Sequence, residues 1–391
     1  VKSSASEEKA ETEQQVQRDS NVDATRWNET PKLLIKGFLM GSADIVPGVS
    51  GGTLALILGI YSRLLHAIKS LNGQVFKKVL TFKFKQALEI FHWKFLAFLM
   101  TGILSAFLFF TKVVPLQVYM FTDPEIVYGL FFGLIAGSIY ILIKELNTFG
   151  IYHGTALLAG IIIGFWVVTL VPTETPESIF FVFLSGAIAV SAMILPGISG
   201  SYILLILRKY DYILSQVGKL GTPETVGGLL VLIPFILGAV FGLILFSRVL
   251  TWLLDRYYTI TITVLIGFLI GSLYVIWPYQ NRTFKKIVRK TQLLPVNDPR
   301  VQELKQQPEF ENRPEYHQLG EVHSSASNGN SSKIEYQTIK KKLIKSRPYI
   351  PFIASASTGH QSLSTWDFWR GIIGMAVGFA MVGLLDKLRD D

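Results

Sequence analysis

Gly41-Ser42-Ala43-Asp44-Ile45-Val46-Pro47-Gly48-Val49-Ser50-Gly51-Gly52-Thr53 is the stretch that decides how this chain is read. It sits in the middle of an apolar segment running from about Gly37 to Tyr61 and interrupts it. Proline lacks the N–H that a helix interior needs, and clustered glycine weakens a helix. Backbone opened at membrane depth must be buried in protein or line a cavity. The segment therefore predicts two half-helices joined by a short unwound turn. A second apolar segment, about Ile179 to Tyr210, is broken in the same way by Pro196-Gly197-Ile198-Ser199-Gly200-Ser201.

The two broken segments are copies. One constant offset carries Ser42 to Ser191, Ala43 to Ala192, Pro47 to Pro196, Gly48 to Gly197, Ser50 to Ser199, Gly51 to Gly200 and Tyr61 to Tyr210. The correspondence continues with small shifts. Gly102 through Lys112 resembles Gly238 through Arg248, and Gly133 through Tyr140 resembles Gly267 through Tyr274. Gly160-x-x-x-Gly164-Phe165 resembles Gly374-x-x-x-Gly378-Phe379.

Six apolar runs have spanning length: roughly 95–114, 126–143, 155–171, 227–250, 260–277 and 369–385. A hydrocarbon core of about 30 Å needs about 17–25 helical residues. Trp93, Trp252, Trp277, Trp366 and Trp369 stand near the ends of these runs, where an interfacial belt belongs. Composition agrees. Half of the 391 residues are hydrophobic, only 17% are charged, and mean hydropathy is +0.41. The formal net charge of +9 falls mainly between the apolar runs, which suits anionic lipid and topology rather than nucleic acid. There is no cysteine, which excludes disulfides, thiolate metal sites and cysteine catalysis.

The expected architecture is an all-α integral membrane protein of two structural repeats. Each repeat is a broken or re-entrant helical segment plus three transmembrane helices. Residues 31–172 form the first repeat, and 179–278 with 369–388 form the second. Residues 1–30, polar and without a visible secretory signal, are expected to be a disordered tail. Residues 279–368 are polar and interrupt the second repeat; they predict a largely flexible extramembrane insertion. The basic, amphipathic stretch 62–93 predicts a helix lying on the membrane surface. Re-entrant broken segments would invert the two halves; fully crossing ones would make them parallel. Paired broken helices favour the inverted arrangement. The basic run Arg282, Lys285, Lys286, Arg289 and Lys290 pulls toward the parallel one.

The chemistry concentrates at the breaks. A new half-helix begins near Thr53 and another near Tyr202, each with amide groups that have no helical partner. Glycines keep side chains away, and Ser50, Thr53, Ser199 and Ser201 add hydroxyls, making an anion cradle suited to phosphate. The candidate substrate-binding residues are Pro47, Gly48, Ser50, Gly51, Gly52, Thr53, Pro196, Gly197, Ser199, Gly200 and Ser201. Arg63 and Arg208, with Lys209 beside the latter, stand close enough to join them or to snorkel to the interface. The structural alternative is a pair of glycine kinks that only let helices pack. Asp44, a carboxylate in an apolar stretch, is a candidate for carrying a coupling proton or for capping amides at the break. Its copy is Met193. His66, His92 and His153 show no metal-ligand spacing, and no catalytic motif stands out. Enzyme is the weaker class.

These motifs, with Gly59-Ile60-Tyr61 after the first and Leu207 and Tyr210 after the second, resemble the signatures of the bacterial polyprenyl-phosphate (undecaprenyl phosphate) translocase family. The resemblance covers about Leu33 to Tyr279 and the last helix. It implies a transporter of the bacterial inner membrane that returns the carrier lipid of cell-envelope synthesis across the bilayer. It also implies opposed re-entrant helices, use of the proton motive force, and no metal or organic cofactor. Three features depart from the family pattern: Arg208, where glycine is expected, the 279–368 insertion and the long polar N-terminus. The other readings are a small-anion carrier or channel, and a membrane enzyme acting on lipid phosphates.

Overall fold

A computed structural model of the chain describes residues 25–46, 49–71, 75, 77–78, 81–86, 92–146, 150–172, 175–307, 313–324, 332–351 and 364–390. They fall into two compact units. The first takes in Val1–Val113, Leu130–Ile276 and Met375–Asp391, and the second Val114–Gly129 and Trp277–Gly374.

The first unit is helical. It begins with α1 (Thr30–Asp44), α2 (Gly51–Ile57) and α3 (Tyr61–Lys69). A proline in the first turn of α1 costs nothing, because that N–H has no helical acceptor. Next come α4 (Trp93–Lys112), the short α5 (Leu116–Thr122, in the second unit), α6 (Pro124–Glu145) and α7 (Ile151–Thr169). The chain continues with α8 (Ile179–Ile194), α9 (Gly200–Ile206), α10 (Tyr210–Gly218) and α11 (Thr225–Ile276). The last helix is Thr365–Asp390.

Among the described residues, five helices are long and apolar enough to cross a membrane: α4, α6, α7, α11 and the last. They cover all six predicted runs, because α11 holds two. Its 52 residues break at Tyr257, where φ and ψ are −136° and 50°. A straight helix of that length would reach about 78 Å, far more than one hydrocarbon core. α2 and α3 meet at a bend of 117°. Of the stretch 62–93, the structure describes α3, short pieces up to residue 86, and residues 92–93; the rest lies outside the described residues. So does the tail 1–24.

Small residues set the helix contacts, as expected where lipid removes the hydrophobic drive between helices. A Cβ on Gly37 of α1 would collide with the Leu99 carbonyl of α4, and one on Gly102 of α4 with the Leu34 carbonyl of α1. Gly186 of α8 and Gly238 of α11 meet the Phe235 and Phe183 carbonyls in the same reciprocal way. α7 and α11 approach through Gly160 and Gly267. Gly133 of α6 lies against Met375, and Gly378 of the last helix against Leu130.

The second unit corrects the all-α expectation and the reading of 279–368 as largely flexible. It contains an antiparallel sheet of β1 (Gln280–Pro295), β2 (Glu315–Ser324) and β3 (Ser332–Pro348), in the order β1-β3-β2. The helix α12 (Pro299–Gln306) is capped by Asp298, whose side chain accepts from the Arg300 amide; the last helix is therefore α13. The buried apolar set is small: Val301 and Leu304 of α12 with Tyr316, Ile334 and Ile339 of the sheet. Most of β1 is exposed on both faces, so its sequence lacks the one-sided alternation that marks a strand. Aromatic contacts tie the root of the sheet. The Trp277 indole donates to the Tyr349 carbonyl (2.9 Å), the Tyr279 hydroxyl to the Phe368 carbonyl (2.7 Å), and Arg282 lies 4.3 Å over the Tyr128 ring. Arg370 pairs with Asp123.

Candidate functional site: the paired helix breaks

Each break is built from its own local chemistry. In the first, Asp44 ends α1 and reaches across the gap, its Oδ1 accepting from the Gly51 amide at 2.6 Å. Ser50, in extended conformation, caps α2; its Oγ accepts from the Gly52 amide at 3.2 Å. The Thr53 amide donates to the Ser50 carbonyl. The first amides of α2 are thus met by a carboxylate, a hydroxyl and a carbonyl of the same segment. This is the capping arrangement that the sequence left open for Asp44. Pro47 and Gly48 lie outside the described residues.

The second break is less closed. Pro196 is buried, and Gly197 holds φ at +83°, a conformation that favours glycine. Ser199 precedes α9, but no side chain caps that helix; the Ser199 and Ser201 hydroxyls instead bond each other at 2.8 Å. Met193 stands where the first break has Asp44, and it is 46% exposed. Among the described residues, no carboxylate closes this copy.

The structure brings the two breaks together. Ser50 Oγ donates to the Met193 carbonyl (3.3 Å), and the Tyr61 hydroxyl to the Ile194 carbonyl (3.1 Å). The Gly197 amide donates to Thr53 Oγ1 (2.9 Å). The two carbonyls belong to the last turn of α8, which has no helical donor left once Pro196 opens the chain. Ser50 and Thr53 are 1% and 0% exposed, so these bonds form away from solvent. Glycine is needed for the close approach: a Cβ on Gly52 would lie 2.7 Å from the Ile194 carbonyl oxygen. On Gly200 it would lie 2.6 Å from the Ala189 carbonyl oxygen, and on Gly51 2.5 Å from Asp44 Oδ2.

The flanking cations divide. Arg63 is bound into α1's entrance by Glu29 (2.9 Å) and Thr25 (3.0 Å) and lies 4.8 Å over the Phe95 ring, so it is not gathered with the breaks. Arg208 is exposed and holds φ at +50°. Its copy in the first half is Gly59, at +67°. A left-handed turn ends both short helices, and in the second an arginine adopts it. Lys209, the other flanking cation of the second break, is 2% exposed and turned to different partners. Its Nζ donates to the Thr175 carbonyl (3.2 Å) and faces the Phe181 and Tyr212 rings. The repeat offset held the signal, since the equivalent residue is Ile60, 4% exposed, and a lysine in an apolar slot must find partners. The tips of both short helices are also closed alike. The Leu58 carbonyl accepts from Lys36 Nζ (3.0 Å), and the Leu207 carbonyl from the Thr175 hydroxyl (2.5 Å).

Among the described residues, no three His, Asp or Glu side chains gather as a metal site.

Comparison with known proteins supplies the family. Residues 40–293, which include both breaks, match the family described as undecaprenyl phosphate translocase-like. A polyprenyl-phosphate transporter of Vibrio cholerae is 36% identical over 247 residues, covering 63% of this chain and 77% of that protein. A polyprenyl-phosphate transporter of Staphylococcus aureus is 33% identical over 262 residues, covering 63% of this chain and 85% of that protein. No solved structure matches. With more than half of its length matched and most of both relatives covered, the chain belongs to the undecaprenyl phosphate translocase-like family.

Proposed function

We infer that this protein carries an intact polyprenyl phosphate between the leaflets of a bacterial inner membrane, and that the lipid's phosphate is recognised where the two helix breaks meet. The substrate class follows from the family and from both relatives. The observation that supports the site is the joining of two unwound turns by Ser50, Thr53 and Tyr61 inside an apolar helical unit. Buried polar backbone is costly in such surroundings unless it has a partner or a purpose. The second break supplies the open face, with Gly200, Ser201 and the Ser199 hydroxyl, while the prenyl tail stays in lipid. Arg208 follows the other end of α9, about 10 Å of helix away, and adds positive charge on that side. The reading requires no metal, no organic cofactor and no covalent chemistry.

The two halves act as structural repeats in this reading. Helices of 15, 7 and 9 residues open the first half, and helices of 16, 7 and 9 open the second. The glycine contacts support the same symmetry: α1 with α4 corresponds to α8 with α11, and α6 with α13 to α11 with α7. The halves are inverted, with the broken segments re-entrant. Cysteines placed at Ser70 and Ser215 would then be labelled from opposite sides of the membrane by an impermeant thiol reagent.

Asp44 couples the cycle to protons. Ionised, it holds the Gly51 amide and places negative charge where the phosphate must come. Protonation removes that charge and weakens its hold, since hydrogen bonds to charged groups are worth about 1.5–3 kcal/mol and neutral ones about 0.5–1.5. Proton and phosphate therefore enter together. The deciding experiment reconstitutes the protein in liposomes with polyprenyl phosphate and follows its leaflet accessibility, with and without a proton gradient. Release of inorganic phosphate, or movement of small anions without lipid movement, would remove this reading.

A further inference from the structure

The long strands β1 and β3 divide by charge. Residues 280–290 carry Arg282, Lys285, Lys286, Arg289 and Lys290 and no acidic residue. The facing segment, 338–348, carries Lys340, Lys341, Lys342, Lys345 and Arg347, again with no acidic residue. The acidic residues of the sheet lie further out, with Glu315 at the boundary opposite Lys340. In register, Lys286 stands opposite Lys341 and Ile287 opposite Lys340. Lys286 and Lys341 both sit over the Tyr316 ring, at 5.8 and 5.9 Å. Like charges placed directly opposite destabilise a sheet. An anionic partner would offset that cost.

The partner's nature follows from what surrounds the cations. Residues 285–290 are exposed on both faces of β1, and Ile287 and Val288 are 39% and 50% exposed between the lysines. Mixed cations and aliphatics suit the boundary between head groups and acyl chains. A single-stranded nucleic acid would instead be met by aromatic stacking platforms, and residues 285–290 contain no aromatic residue. β1 also begins four residues after Ile276, where the spanning helix α11 ends, a chain reach of at most about 14 Å. At that root Arg282 has its Nη2 buried with no hydrogen-bond partner among the described residues. We propose that the root half of the β1–β3 ribbon is a docking surface for the anionic head groups of the bilayer that α11 crosses. Polybasic segments beside a span are held to anionic lipid in this way. The ribbon is a surface contact separate from the transport site and does not depend on the function proposed above.

The test uses the full chain, which has no native cysteine, in nanodiscs of phosphatidylcholine with or without phosphatidylglycerol. A nitroxide on Ile287→Cys reports contact with the surface, and one on Val322→Cys, in the outer half, serves as control. With phosphatidylglycerol at low salt, the label at 287 becomes immobilised and accessible to lipid-borne relaxation agents. Salt near 1 M, where the Debye length falls to about 3 Å, reverses this. Neutralising Lys285→Gln and Lys290→Gln lowers the ratio of docked to free ribbon about 25-fold, at about fivefold per cation. Both side chains are exposed, and an unchanged spectrum in pure phosphatidylcholine verifies the fold of the variant. The proposal is overturned by a label at 287 that ignores phosphatidylglycerol, by an equal response at 322, or by a response to a single-stranded oligonucleotide alone.

Discussion

Thr53→Val tests whether the two breaks function as one site. Valine copies threonine's shape but removes the oxygen that accepts from the Gly197 amide at 2.9 Å. Thr53 is completely buried, so no water replaces the lost acceptor. A buried donor left unsatisfied costs about 1–3 kcal/mol. At 1.4 kcal/mol per factor of ten, opening of the contact becomes about 5- to 150-fold more frequent. Hydrogen exchange followed by mass spectrometry reads this directly at the Gly197 amide, since Pro196 before it has no exchangeable amide. Protection at Gly197 should fall by that factor, while protection in α4 and α7 stays unchanged. Polyprenyl phosphate transport should fall with it. Thr53→Ser keeps the acceptor and gives up a buried methyl, so it should preserve both the protection and most of the transport. If Thr53→Val left protection at Gly197 and transport untouched in a folded protein, the contact would be incidental and the shared-site reasoning would fail.

Other expectations follow from the same geometry. Asp44→Asn should still cap the Gly51 amide, because asparagine is a good N-cap; it should abolish gradient-driven transport and spare downhill exchange, and full gradient-driven activity would exclude the proton role. Arg208→Gly should stabilise the protein by up to about 1 kcal/mol, since a non-glycine residue gives up a left-handed conformation there. It should also reduce selectivity for the phosphorylated lipid over the neutral polyprenol, so thermal stability and selectivity should move in opposite directions. Joining Thr291 to Gln337, which face each other in the sheet, through an Asn-Gly turn should remove the outer ribbon. The root contacts of Trp277 and Tyr279 would remain, and insertion and transport should persist in a leaflet-accessibility assay.

The spanning helices were legible because lipid imposes a length and an apolar composition that a sequence displays openly. Both breaks were legible too, since Pro196 and the glycines beside Ser50 and Ser199 conflict with their apolar surroundings. The ribbon was not. Its strands pair across dozens of residues, and from Lys285 to Lys290 both faces are exposed, so no period-two pattern forms. The placement of Arg63 was hidden for a different reason. Its partner, Glu29, lies in a stretch read as a disordered tail, and nothing local announces a contact over that separation. The different places of Arg208 and Lys209 were hidden because adjacent cations look interchangeable as charges, whereas one carries a left-handed turn and the other fills the place of Ile60.

The reciprocal glycine contacts bear on how the chain matures. α6 meets its partner through Gly133 and Gly378, more than half the length of the chain apart. At about 5–20 residues per second, the ribosome delivers α13 some tens of seconds after α6 has left it. Throughout that interval the glycine-lined flank of α6 lacks the helix it finally packs against. Insertion and assembly are therefore separate events, and α13 is the helix that covers this flank of α6. A nascent chain stalled before α13 would occupy the membrane with its first helices inserted yet unfinished, exposed to whatever quality-control machinery surveys unpaired helices.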